Sequence, residues 1–208
     1  MSELSDLAQM ILRCPDCRLC ETRTQAVPGE GPEDAEIMFI GEGPGFNEDR
    51  TGRPFVGAAG KFLDQLLGAA GLKREEVFIA NVVKCRPPNN RDPMPDEIAA
   101  CGTWLDRQIE LIKPAVIVTL GRHSMNRFIP GATISRIHGV PRDLDGIMVV
   151  PMFHPAAALH QERYRSLILA DFQKLPEILA AAKQRAPAHT PAAPEEPKPV
   201  AVEQGRLF

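Results

Sequence analysis

Three of the chain's five cysteines fall within seven positions, in the stretch CPDCRLC from Cys14 to Cys20. Cys14 and Cys17 form a C-x-x-C pair, Cys85 follows the apolar run VFIANVVK, and Cys101 lies inside the helical pattern after it. Two thiols from a short loop and two from a strand–helix unit make a four-thiolate shell suited to zinc or to an iron–sulfur cluster. Spacing alone does not choose between the two. Cys20 stands at the same spacing from Cys17 but has no sixth cysteine to match it. The N-terminus MSELSDLAQMILRC is amphipathic and acidic, unlike a secretory signal, and no apolar segment reaches ~18 residues. A cytoplasmic protein outside the membrane is expected, where thiols stay reduced and an odd cysteine count argues against a disulfide framework.

A second group of residues lies in GEGPGFNEDRTGRPFVG, residues 41–57, whose glycines and prolines fit a close backbone approach to a ligand and whose acids are Glu42, Glu48 and Asp49. The stretch is neither G-x-G-x-x-G nor a Walker A loop, so a dinucleotide or triphosphate site is disfavoured. Asn81 ends the next apolar run, and His154, followed by Pro155, ends the last.

These residues must be positioned by the elements around them. Four β-branched runs, 36–41, 77–84, 115–121 and 146–154, read as buried strands. Helical patterns occupy 58–71, 95–113, 121–129 and roughly 162–184, the second opening on proline and acids as a helix N-terminus prefers. Strands alternating with helices predict an α/β protein with a four-stranded, mainly parallel sheet covered on both faces, and sites beyond the carboxyl ends of the strands. Residues 1–184 are read as one domain. From 185 to 208 the sequence turns Pro- and Ala-rich, a disordered tail that ends in EQGRLF.

The net charge of −3 does not advertise a nucleic-acid partner, so any positive field must be local. Arg122, His123, Arg127, Arg136, His138 and Arg142 form one such stretch, with Arg163 and Arg165 later.

Taken together, GEGPG, GRPFVG, NVVKCRPPNNR and MFHPAAAL, in this order and with the four cysteines, resemble the family 4 uracil-DNA glycosylases from about Leu12 to Leu175. The resemblance implies a three-layer α/β/α sandwich, a 4Fe–4S cluster on Cys14, Cys17, Cys85 and Cys101, and hydrolysis of the bond joining uracil to deoxyribose in single- or double-stranded DNA. It also implies a uracil pocket from Glu42, Gly43, Pro44, Phe55, Asn81 and His154. Phe55 offers an aromatic face to a flipped base. Asn81 can accept from uracil N3–H while donating to O4, a pattern that cytosine reverses. His154 can donate to O2 as the base leaves as an anion. A carboxylate must serve the sugar and the attacking water, a role shared between Glu42 and Glu48 with Asp49 third. The better-known branch has an aspartate where this chain has Gly43 and a thymine-excluding tyrosine where it has Gly45.

In HPAAAL an apolar wedge would hold the gap left by the base; the usual place has Ala158, a poor wedge, and Leu159 after it is favoured. Lys84, Arg86 and Arg91 can contact phosphates. With no lysine placed as a Schiff-base nucleophile, a monofunctional, monomeric enzyme is expected. Gln204, Leu207 and Phe208 resemble the peptides that bacterial repair proteins present to the sliding clamp. Two rival readings are a module that binds uracil without turnover and a covalent trap that uses His138.

Overall fold

Side chains alternate across a strand, and the first strand, β1 (Ile37–Gly41), sends Ile37 and Phe39 into one core and Met38 and Ile40 into another. Burial on both faces is what a continuous apolar run requires of a parallel strand. In this computed structural model, which describes residues 2–185, the sheet order is β2-β1-β3-β5-β4. Strands β2 (Phe78–Asn81), β3 (Val116–Leu120) and β5 (Ile147–Met152) run parallel to β1. The four expected strands are present in their expected places.

A fifth strand departs from the four-stranded expectation: β4 (Arg142–Leu144) pairs antiparallel with β5 at the sheet edge. Its three residues are exposed or half-buried and carry no apolar alternation, so nothing in their pattern marks a strand.

The helices are α1 (Glu3–Arg13), α2 (Phe46–Thr51), α3 (Ala58–Ala69), α4 (Pro95–Ile112), α5 (Arg122–Phe128), α6 (Ile134–Ile137), α7 (Pro155–His160), α8 (Arg163–Phe172) and α9 (Leu175–Arg185). The pattern at 162–184 therefore resolves into two helices, because Pro176 cannot donate into a ladder continued from α8. One face of the sheet is covered by Phe62, Leu63, Leu66 and Leu67 of α3 and by Ile168, Phe172, Leu175 and Ile178 of α8 and α9. Phe172 stacks on Phe39 with ring centroids 5.7 Å apart. The other face is covered by Leu4, Leu7 and Ile11 of α1 and by Leu105 and Ile112 of α4. Burying each large side chain contributes about 1.5–3 kcal/mol, which makes these two seams the main source of stability.

The chain leaves β1 towards β2 on one side and returns past it to β3 on the other. The connections above β1 and β3 therefore part, and a crevice opens beyond the carboxyl ends of the strands. No helix among the described residues is long and apolar enough to cross a membrane.

Candidate active site

The crevice holds a cavity of about 500 Å³ whose walls include Glu42, Gly43, Pro44, Glu48, Phe55, Asn81 and His154. These are the seven residues expected at the site, brought together from the ends of β1, β2 and β5 and from the loop after β1. Asn90, Arg91, Ala156 and His160 also line it. Arg91 was expected at phosphates, and the other three were not expected at the site.

Asn81 is the last residue of β2 and is 2 % exposed. Its Oδ1 is buried with no hydrogen-bond partner among the described residues. An unpaired buried acceptor costs about 1–3 kcal/mol, so a ligand donor that reached it would be bound with that much advantage. The amide fits only because residue 41 is glycine: a Cβ there would lie 2.4 Å from Asn81 Oδ1 and 2.7 Å from the Phe55 ring.

Phe55 sits with φ 51°, a left-handed conformation uncommon for an aromatic residue. Three contacts impose it. Arg74 donates to Pro54 O at 2.5 Å and to Phe55 O at 3.3 Å, and Glu48 Oε1 accepts from Val56 N and Gly57 N, both at 2.9 Å. From the far side α3 presses so closely that a Cβ on Gly60 would lie 1.9 Å from Phe55 O. The ring stacks on His154 with centroids 5.5 Å apart.

His154 caps α7, its Nδ1 accepting from Ala156 N at 3.1 Å. That bond places the neutral ring's proton on Nε2, the other nitrogen. Burial pushes the imidazole pKa down to about 4, although Glu48 opposes the shift. The side chain is therefore a neutral, one-sided donor.

Of the two carboxylates, Glu48 is tied to backbone amides, whereas Glu42 lies near His123, 3.7 Å from its Nε2. Burial raises the Glu42 carboxyl above its ordinary range, Asp92 adds to this, and His123 and Arg122 oppose it. Asp49 is buried and accepts from Thr24 N at 2.9 Å, so it serves the fold rather than the cavity.

Several expectations need correction. Lys84 cannot contact phosphates, because it is 1 % exposed and its Nζ donates to Asn81 O at 2.9 Å and Gln108 Oε1 at 2.6 Å. It braces the asparagine from behind. Arg91 is forked onto the buried Glu97 at 2.6 and 2.8 Å, which anchors the loop that carries it. Ala158 is buried in the core at 5 % exposure and cannot be a wedge, while Leu159 beside it is 47 % exposed. Part of the basic stretch is neutralised, Arg122 by Asp92 and Arg127 by Asp106, and His138 is hydrogen-bonded to Asp171. His138 lines no part of the cavity, which removes the geometry a covalent trap would need. Gln204, Leu207 and Phe208 lie outside the described residues.

On the opposite side of Lys84 all five cysteines surround a second, smaller cavity with Arg23 and Trp104. Trp104 Nε1 donates to Cys14 Sγ at 3.2 Å, Arg23 to Cys85 Sγ at 3.0 Å and Lys84 N to Cys101 Sγ at 3.2 Å. N–H groups aimed at sulfur suit thiolate ligands. Cys20 does the reverse, its thiol pointing at Pro15 O from 3.8 Å. A C-x-x-C pair with two further thiols at one cavity is a donor set for zinc or an iron–sulfur cluster. Burial pushes Cys101 up to about 11, so a thiolate there needs a cationic centre to form.

Comparison with known proteins agrees with this geometry. Residues 28–175 match the family model described as the uracil DNA glycosylase superfamily. The chain belongs to that superfamily. Within it the chain is 48 % identical over 195 residues to the type-4 uracil-DNA glycosylase of Sulfurisphaera tokodaii, covering 88 % of each chain. It is 46 % identical to the type-4 enzyme of Archaeoglobus fulgidus, over 86 % of this chain and 94 % of that one. To the type-4 enzyme of Thermotoga maritima it is 48 % identical, over 81 % and 90 %. The superfamily match begins at Pro28, so it includes every residue of the cavity and two of the five cysteines.

Proposed function

We propose that the chain is a monofunctional uracil-DNA glycosylase that hydrolyses the N-glycosidic bond of uracil in DNA, releasing the free base and leaving an abasic site for base excision repair. Membership of a superfamily whose type-4 members it matches at 40–48 % identity supports the reaction class. The observation that carries the substrate is the unpartnered Oδ1 of Asn81 beside the stacked pair Phe55 and His154.

Uracil inside a duplex cannot reach such a cavity, so it must leave the stack, at a cost of a few kcal/mol. Stacking on Phe55 offsets roughly 1–3 kcal/mol of that. Asn81 Oδ1 then accepts from N3–H and its amide N–H donates to O4. Cytosine would set an acceptor against Oδ1 and a donor against the amide N–H, leaving buried groups unpaired. As the glycosidic bond lengthens, negative charge gathers on O2, and the fixed Nε2–H of His154 donates to it. The deoxyribose left behind has oxocarbenium character. Glu42, whose raised pKa brings it nearer the useful range for proton transfer, orients and deprotonates the attacking water. Glu48, locked by Val56 and Gly57, supplies fixed negative charge and holds the Phe55 loop. Leu159 is the wedge.

The donor set around the second cavity fits a 4Fe–4S cluster on Cys14, Cys17, Cys85 and Cys101, with Cys20 left free. When bound, the cluster would supply a cross-link between the N-terminal segment and the sheet; no residue of the reaction lies on it. Clamp binding through Gln204, Leu207 and Phe208 is part of the same reading and is tested by deleting 203–208.

The deciding experiment measures free uracil released under multiple turnover from single- and double-stranded uracil-containing DNA. Wild type should turn over, and Asn81→Ala and His154→Ala should each lose roughly 10²–10³ in rate. A denaturation-resistant adduct, or binding without release, would overturn the proposal.

A further inference from the structure

Phe46 is 52 % exposed at the start of α2, next to the cavity residues Gly45 and Glu48. Two guanidinium groups lie against its ring, Arg50 with its carbon 5.5 Å and Arg86 with its carbon 5.2 Å from the centroid. Both distances fall within the range where a cation is attracted to an aromatic quadrupole. The arginines come from different segments: Arg50 from the end of α2, and Arg86 from the loop after β2, where its Nε donates at 2.7 Å to Asn90, a residue of the cavity wall. Neither forms an ion pair among the described residues. Arg53, Arg74 and Arg91 nearby are each matched by a carboxylate.

A half-exposed aromatic ring covered by two uncompensated cations can exchange a guanidinium for a base, which frees that cation for an anion. A nucleic-acid strand presents both, a base and a phosphate, once per nucleotide. The ring's place beside the cavity residues Gly45 and Glu48 points to a nucleotide next to the one in the cavity. We infer that Phe46, Arg50 and Arg86 form a platform for the nucleotide adjacent to the excised one, its base stacked on Phe46 and its phosphate held by the two guanidinium groups. The inference rests on the uracil-DNA reading above. It adds a recognition element outside the base pocket, one that favours strands whose neighbouring base is free to stack.

The test uses full-length protein and single-stranded oligonucleotides with one uracil, in which the base on the 5′ or the 3′ side is replaced by an abasic spacer. In wild type, removing the neighbouring base on one side should lower kcat/KM by roughly 5- to 150-fold, the range measured for stacking one base. Phe46→Ala should show that loss on the intact oligonucleotide and no further loss with the spacer, while Phe46→Trp restores the wild-type pattern. Arg50→Gln and Arg86→Gln should each flatten the dependence of log kcat/KM on log salt by about 0.7, one phosphate contact on a single strand. Equal sensitivity of wild type and Phe46→Ala to the spacer would overturn the platform. So would full activity of Phe46→Ala on the intact strand. Failure of the glycosylase reading looks different: wild type would release no uracil from any substrate, and the platform would still be read from anisotropy of uracil-free oligonucleotides, weakened in Phe46→Ala if correct and unchanged if not.

Discussion

Replacing Gly60 with alanine sets two physical effects against each other. Gly60 lies in the first turn of α3, and alanine in a helix is favoured over glycine by about 0.5–1 kcal/mol. Propensity alone therefore predicts stabilisation. The packing predicts the opposite, because the added Cβ would lie 1.9 Å from the carbonyl oxygen of Phe55 and 2.1 Å from its carbonyl carbon. These are backbone atoms, fixed by Arg74 from one side, so no side chain can swing away. Ordinary contact needs a shift of about 1.5 Å, and overpacking of this kind costs typically 1–3 kcal/mol. A net loss of about 1–2 kcal/mol follows, which for a domain of this size lowers Tm by roughly 2–8 °C. Activity should suffer more than stability, since the backbone that moves carries the Phe55 ring, and a displacement near 1 Å at a catalytic group costs on the order of 10²-fold. Thermal unfolding by circular dichroism and uracil release under single turnover measure the two effects on one preparation. A Gly60→Ala protein with a Tm at or above wild type and undiminished excision would refute the reasoning.

Lys84→Met should lower stability to chemical denaturation by about 2–5 kcal/mol, because Asn81 O and Gln108 Oε1 lose their buried donor, and it should leave the salt dependence of DNA binding unchanged; unaltered stability with a flatter salt dependence would restore the phosphate role. Cys20→Ser should retain the iron content of wild type while Cys101→Ser loses it, and iron lost with Cys20 would show that the C-x-x-C pair was misassigned. The His154 pKa of about 4 lies below its ordinary 6.5, so folding favours the neutral ring. Its share of stability is whole above about 6.5 and is lost as pH falls through about 4. Ring ¹⁵N spectra should show the Nε2–H tautomer unchanged from pH 7 to 5, whereas a titration midpoint near 6.5 would contradict its burial.

The sheet was legible because its parallel strands are buried on both faces and so are written as unbroken apolar runs. β4 was not, since an exposed three-residue edge strand needs only a neighbour to pair with. The cavity residues could be named from the motifs, and the structure adds what holds them. Lys84 reads in sequence as a surface cation between two functional residues, and nothing nearby announces that Gln108, twenty-four positions on, will accept its hydrogen bond. Arg74 and Gly60 carry no local signal either. Their importance is that they touch the backbone of Phe55, a contact between segments that meet only when α3 packs back on the loop. Residue size already favours Leu159 over Ala158 as the wedge, and the turn of α7 decides it by facing Ala158 to the core.

The contact between Trp104 and Cys14 joins residues 90 positions apart, and α1 packs on α4 in one core. During synthesis the first helix therefore emerges long before its partner exists. At ~5–20 residues per second, Leu4, Leu7 and Ile11 wait roughly 5–20 s with their apolar stripe uncovered. For that interval the nascent chain is a client for any factor that shields hydrophobic segments.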